Sequence, residues 1–217
     1  MGILTMAAVM AKRMTTDVNY ALSFSDNSTD RVITANNIPQ QPLSINTRFK
    51  RNGNPAGTRF IHTADSGTEG QTMLQLMLNT NGTLTVRKIS NNVGILTAIT
   101  GTAVVTDNNW HTIKVYINGA SYRLWVDDMD TPDASTDAGN TTDFTLLPFL
   151  IGCDRNSSAG YRLSCGGSID EVKLWSGDEG TLAGHWEFDE GSGLSAADSS
   201  GNLNTGTITG ATWQATV

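Results

Sequence analysis

One stretch of the chain leaves little freedom over the fold. Trp110-His111-Thr112-Ile113-Lys114-Val115-Tyr116-Ile117 runs into Asn118-Gly119, and Tyr122-Arg123-Leu124-Trp125-Val126 comes back. Alternation at period two sends successive side chains to opposite faces of a strand. Asn-Gly supplies the positive φ angles that a two-residue hairpin turn demands. A second hairpin follows the same logic: Leu74, Leu76 and Leu78 share a face over 72–78, Asn79-Thr80-Asn81-Gly82 turns, and 83–87 returns. Further strands are predicted over 21–24, 31–33, 43–50, 58–63, 103–106, 145–151, 168–175, 185–188 and 206–213, with a long polar loop over 127–143. A short helix is expected only around Met6–Met14. Strands at this spacing predict an all-β, two-sheet antiparallel sandwich.

The chain has 217 residues, enough to bury a core without disulfides or metals. Residues 1–18 are expected to form an N-terminal arm docked on its own domain or a neighbour, or to be residual vector sequence; 19–217 reads as a single sandwich domain. The net charge of −7 argues against a nucleic-acid partner, which needs a basic surface to neutralise phosphates. No apolar run approaches a membrane-spanning length, so no membrane insertion is expected. Residues 2–11 are apolar, but no basic segment precedes them as in a signal peptide. Cys153 and Cys165 are placed either to face each other as a disulfide across a hairpin or to remain free thiols.

Several segments together resemble a known family. Trp110-His111-Thr112-Ile113 and Leu124-Trp125-Val126-Asp127 are similar to the "W-H-x-V … L-Y-V-D-G" of laminin-G-like, pentraxin-like domains. Ala21-Leu22-Ser23-Phe24, Phe149-Leu150-Ile151-Gly152 and Gly167-Ser168-Ile169-Asp170-Glu171-Val172 resemble other segments of that family, in its order. The resemblance implies a concanavalin A/laminin-G-like jelly roll. Two departures stand out. Asp128 occupies the place of the glycine after the hairpin Asp, so that turn must be built differently. The segment Trp186-Glu187-Phe188-Asp189-Glu190-Gly191, with Asp198-Ser199-Ser200-Gly201-Asn202 and Trp213, comes last here and first in many members. Residues 184–217 therefore complete this sandwich as in a circular permutation, are swapped to a neighbouring subunit, or begin a second repeat.

No catalytic constellation is expected. A glycosidase of this fold needs carboxylates on one strand face. Glu187 and Asp189 come nearest, but Gly191 follows them, and Asp170 and Glu171 point to opposite faces. His62, His111 and His185 each lie in a strand beside apolar residues, and Trp110 and Trp186 are expected in the core. No cofactor is required; calcium is the one candidate, with Asp26, Asn27 and Asp30, then Asp154 and Asn156, then Asp189, Asp198 and Asn202 as oxygen donors, against the alternative that these side chains hydrogen-bond turns. Trp125, Tyr161 and Trp175 are the candidates for stacking on a sugar, with Trp125 equally readable as core.

Two functions follow from this reading. The first is a non-catalytic surface or assembly protein, such as a virion (phage) decoration, fibre or tail subunit, partnered by other subunits or by its own copies. The second is a lectin-like module that recognises carbohydrate or a cell surface, with calcium as an optional aid. Both place the protein on a virion surface or outside the cell.

Overall fold

Alternating apolar residues can bury one face only if a second sheet covers it, and the chain supplies two sheets. The computed structural model describes residues 18–64, 71–90, 93–156 and 160–216, with Asn36, Asn37 and Asn156 described through the backbone alone. Residues 1–17 of the arm expected over 1–18, with its helix, lie outside the described residues. In chain order the strands are β1 (Tyr20–Ser23), β2 (Arg31–Asn37), β3 (Leu43–Asn52), β4 (Arg59–Ala64), β5 (Thr72–Leu78), β6 (Leu84–Ser90), β7 (Gly94–Thr100), β8 (Asp107–Asn118) and β9 (Ser121–Val126). They continue as β10 (Ala134–Thr136), β11 (Pro148–Ile151), β12 (Asp154–Asn156), β13 (Gly160–Arg162), β14 (Ser168–Ser176), β15 (Thr181–Trp186), β16 (Ser195–Ala196), β17 (Gly206–Thr209) and β18 (Thr212–Ala215). The first sheet runs β10-β9-β8-β3-β14-β1-β18, with β15 also on β14; the second runs β16-β17-β2-β11-β4-β5-β6-β7. All strand pairs within both sheets are antiparallel. β12 and β13 form a separate hairpin.

The core lies between the sheets. Phe49, Ile113, Val115, Ile117 and Leu124 come from the first, and Val32, Leu76, Val86, Phe149 and Ile151 from the second. At its centre Trp186 stacks on Phe149 with ring centroids 5.9 Å apart, and Phe149 stacks on His62 at 5.2 Å. The Trp186 indole N–H donates to the Asn204 carbonyl at 2.9 Å, so the ring's one polar atom is satisfied. Gly184 makes room for it: a Cβ there would sit 2.4 Å from the indole.

The C-terminal segment serves both sheets. β17 pairs with β2 and β18 pairs with β1, so the expected continuous strand over 206–213 is split. Gly210, at φ +79°, makes the turn between them. The strand expected over 185–188 runs instead from Thr181 to Trp186 and stops before Phe188, whose φ is +58°. The strand expected over 103–106 is absent, and β7 over Gly94–Thr100 was missed. Residues 102–105 satisfy their backbone elsewhere: the Thr102 and Ala103 amides donate to the Asp133 carboxylate, and Val105 donates to Gly82. The loop over 127–143 contains β10 on the edge of β9.

The phase of β8 corrects one expectation. His111, Ile113, Val115 and Ile117 point inward, whereas Trp110 lies half-buried on the outer face with Thr112, Lys114 and Tyr116. Trp186→Ala is expected to cost about 3–5 kcal/mol in urea unfolding. Trp110→Ala should cost about 1 kcal/mol or less, as an outer-face ring.

His62 is buried without a hydrogen-bond partner at either ring nitrogen. Burial lowers its pKa from 6.5 to about 3. The unfolded chain takes up this proton below pH 6.5, whereas the folded chain resists until about pH 3. Stability is therefore fully present above pH 6.5 and is lost progressively as pH falls toward 3. Urea midpoints measured from pH 7 to 4 should fall in the wild type and fall less steeply in His62→Phe.

Candidate functional site

Where β8, β3 and β14 end together on the outer face of the first sheet, the side chains thin out and a cleft opens. The rung Trp110–Lys50–Ser168 crosses it. Gly166 and Gly167 lie beside that rung, and neither can carry a side chain. A Cβ on Gly167 would lie 2.6 Å from the Lys50 carbonyl, and one on Gly166, at φ +62°, would lie 2.1 Å from Arg51. The cleft has a volume of about 340 Å³, at the small end of small-molecule sites. Trp110, Lys50, Asn52, Asn108, Ser168 and Gln214 line it.

The cleft is held from beneath by ion pairs. Arg51, 7% exposed, donates to the carbonyls of Gly53, Cys165 and Gly166 and to Asp26. Arg59 donates to the other Asp26 oxygen. Burial raises the Asp26 pKa, but the two guanidiniums outweigh it and hold the carboxyl below its ordinary value. Arg48 lies over the Trp110 ring at 4.9 Å and pairs with Asp170 at 2.9 Å. Burial pushes the Asp170 carboxyl up to about 6, and Arg48 offsets only part of that.

The calcium candidates are turned to other work. Asp26 serves Arg51 and Arg59. Asp30 accepts from the Ser25 amide at 2.7 Å. Asp154, 1% exposed, pairs with Arg162 at 3.0 Å, and the Asn156 side chain lies outside the described residues. Asp189 accepts from the Tyr20 amide, and Asp198 accepts from the amides of His185, Ser200 and Asn204. Asn27 adopts φ +52°, and the Asn202 amide donates to the Leu182 carbonyl at 2.7 Å. Among the described residues no three His, Cys, Asp or Glu side chains converge on a metal position.

Cys153 and Cys165 are both buried free thiols, so the disulfide alternative is not realised. They flank the β12–β13 hairpin, whose strands lie within the span 154–164 expected as a loop, and the Cys165 amide donates to the Gly152 carbonyl. Burial raises both thiol pKa values, that of Cys165 to about 12.

The three aromatic candidates separate. Trp125 and Trp175 are both on the outer face of the first sheet, half-buried, with Lys114 and Asn46 on the strands between them. Lys114 lies over Trp125 at 5.2 Å and pairs with Asp178 and Glu179 of the β14–β15 turn. Tyr161 is on the β12–β13 hairpin, with Arg31 and Arg155 over its ring at 4.0 and 5.4 Å. None of the three lines the cleft; its aromatic wall is Trp110.

A laminin G-type family model, described as the concanavalin A-like lectin/glucanases superfamily, matches residues 25–178. The chain belongs to this superfamily. No curated protein sequence matches it at a significant level. Among solved structures it is similar to the native heptameric SAP-like pentraxin of Limulus polyphemus, at 13% identity over 76% of this chain and 80% of that one, with a TM-score of 0.57. A candidate carbohydrate-binding protein of Bacteroides ovatus is 18% identical over 91% of this chain and 60% of that one, with a TM-score of 0.62. The CBM40 of the Ruminococcus gnavus IT-sialidase, bound to α2,3-sialyllactose, is 12% identical over 71% of this chain and 88% of that one, with a TM-score of 0.54. These likenesses establish a shared fold.

Seen within the superfamily, the resembling segments have physical roles. His111 Nδ1 and Nε2 each lie 2.8 Å from a carboxylate, Asp127 and Asp107. The other Asp127 oxygen accepts from the Thr112 amide. Trp-His and the hairpin Asp are thus one clamp across β8 and β9. Asp127 itself adopts φ +61°, so the bend falls one residue before the missing glycine. Asp189 anchors β1 through Tyr20, and Asp198 pins three amides of the last segment. Glu187 and Asp189 follow the end of β15 and do not share a strand face. Ser199 Oγ, His185 and Glu171 form a relay at 2.9 and 3.0 Å, but the hydroxyl also lies 3.1 Å from Glu187, and none of the four lines the cleft.

Burial lowers the His111 pKa, but hydrogen bonds to Asp127 and Asp107 outweigh it and raise the value above 6.5. The stability from this clamp is fully present below pH 6.5 and is lost as pH rises through the raised pKa. An NMR titration of the imidazoles should show His111 losing its proton above pH 6.5, while His62 stays neutral across the same range.

Proposed function

We propose that this chain is a non-catalytic glycan-recognition module that works outside the cell or at a cell surface, binding through the Trp110 cleft. The observation that carries this reading is the cleft's make-up. An indole meets the amides of Asn52, Asn108 and Gln214, a Ser168 hydroxyl and the Lys50 ammonium in one concavity. A sugar presents C–H faces to an aromatic ring and hydroxyls to amides, and such a wall offers both. Ser168 already donates to Gln214 Oε1 at 3.1 Å, which orients that amide's N–H groups away from the hydroxyl. Two of the fold relatives are named for carbohydrate binding, which supports the same reading. The virion decoration, fibre or tail reading rests in part on an arm outside the described residues, and no relative named above supports it.

A glycan array followed by calorimetry on the best ligand tests the proposal. Trp110→Ala should weaken binding at least tenfold with little change in melting temperature. Trp125→Ala and Trp175→Ala should leave affinity within about twofold. Unchanged binding by Trp110→Ala, or loss confined to the Trp125 or Trp175 variants, would overturn the placement of the site.

A further inference from the structure

On the opposite sheet a second polar surface has no role in the cleft. Gly152, at φ +87°, turns the chain out of β11, and the Thr63 hydroxyl of β4 donates to the Cys153 carbonyl as it leaves. The following β12–β13 hairpin brings Arg155, Tyr161 and Arg162 toward Arg31 of β2 and Gln75 and Arg87 of β5 and β6. Among the described residues, the carboxylate bonded to this group is that of Asp154, which takes Arg162 at 3.0 Å and the Gln75 amide at 3.2 Å. The Gln75 oxygen in turn accepts from Arg87.

We infer that Arg31 and Arg155, over the Tyr161 ring, and Arg162, next to it on β13, form an anion-binding site for the carboxylate or sulfate group of an acidic glycan. Among the described residues, the guanidiniums of Arg31, Arg87, Arg155 and Arg162 stand here with the Asp154 carboxylate bonded to them, in a chain whose net charge is −7. Such a concentration of like charge is costly unless an anion shares it. Two donors also lack acceptors: the Nε–H groups of Arg31 and Arg162 are buried and unpaired. Arg31 spends Nη1 on the Thr29 carbonyl at 2.9 Å, which fixes its fork, and its guanidinium lies on the Tyr161 ring at 4.0 Å. Arg162 is fixed by Asp154 at one end, with its side chain 42% exposed. Two oxygens of a carboxylate or sulfate group match guanidinium forks held in this way. Burial lowers the pKa of Arg87, Asp154 offsets part of that, and Arg162 lowers it further.

The choice of a glycan as carrier of the anion rests on the proposed function above; the anion site itself does not. Inorganic sulfate, titrated at constant ionic strength and followed by NMR of the guanidinium Nε–H groups, probes the site without any sugar. Sulfate should shift the Arg31 and Arg162 signals, and Arg31→Gln should weaken its binding at least tenfold. Arg31→Lys keeps the charge without the fork and should bind several-fold more weakly than wild type, while Trp110→Ala should bind sulfate normally. A hexuronate oligomer should bind wild type at least tenfold better than a neutral oligomer of equal length, and Arg31→Gln should lose that preference. Equal sulfate binding by wild type, Arg31→Lys and Arg31→Gln would overturn the site. Sulfate binding at Arg31 without preference for the hexuronate would overturn the glycan assignment alone.

Discussion

The stack of Trp186 on Phe149, and of Phe149 on His62, joins the two sheets at their centre. Trp186 belongs to the first sheet and the other two rings to the second, so their packing sets how the layers face each other. Much else exists to permit it. Gly184 clears the space above the indole, Asn204 accepts its N–H, and Asp198 holds the loop that presents Asn204. The stack also holds a neutral imidazole where apolar surface would serve stability better at low pH. Two of the three histidines act in opposite senses. His62 resists its proton inside the core, while His111 keeps one between two carboxylates at the edge of the sheet.

Much of the architecture was legible because period-two alternation is a local signal. The β8–β9 hairpin and its Asn118-Gly119 turn follow directly from residue order. The outcome for Trp110 shows where the signal ends. Alternation divides a strand into two faces and does not say which is inside. The answer was nonetheless present in the parity: Trp110 falls in step with Thr112 and Lys114, and His111 with Ile113, Val115 and Ile117. An aromatic residue in the polar phase was the clue to the cleft, overridden by the expectation that large rings are core. The other cleft residues gave no such clue. Asn52, Asn108, Ser168 and Gln214 lie far apart in sequence and meet only through the order β8-β3-β14-β1-β18. β7 was missed for a related reason: its Ile95 and Thr97 form part of an edge strand exposed on one side, and the alternation there is weak.

The carboxylates illustrate how a ligand-like composition can serve the backbone. Asp26, Asp154, Asp189 and Asp198 stand in turn-rich segments that would suit calcium by residue type. In the folded chain each meets guanidinium or backbone N–H donors instead. Sequence gives the donors but not their targets, because the targets are amides and arginines brought in from other strands.

These pairings leave an asymmetry between the two outer faces. Near the cleft, the cations Arg48, Arg51 and Arg59 are each bonded to a carboxylate, so Lys50 and the neutral amides remain to meet a ligand. Across the molecule, the hairpin and β2 bring guanidiniums together around the Asp154 carboxylate, and the Nε–H groups of Arg31 and Arg162 stay unpaired. A neutral, hydroxyl-rich ligand suits the first surface and an anionic one the second. Both depend on a sharp backbone bend that only glycine makes easily, Gly166 beside the cleft and Gly152 at the root of the hairpin. At Gly152 a Cβ would come within 2.2 Å of Phe24, a core residue. The guanidinium-rich surface is therefore tied to core packing at Gly152, as it is tied to the sheet by the Thr63 hydroxyl on the Cys153 carbonyl and the Gln75 amide on Asp154.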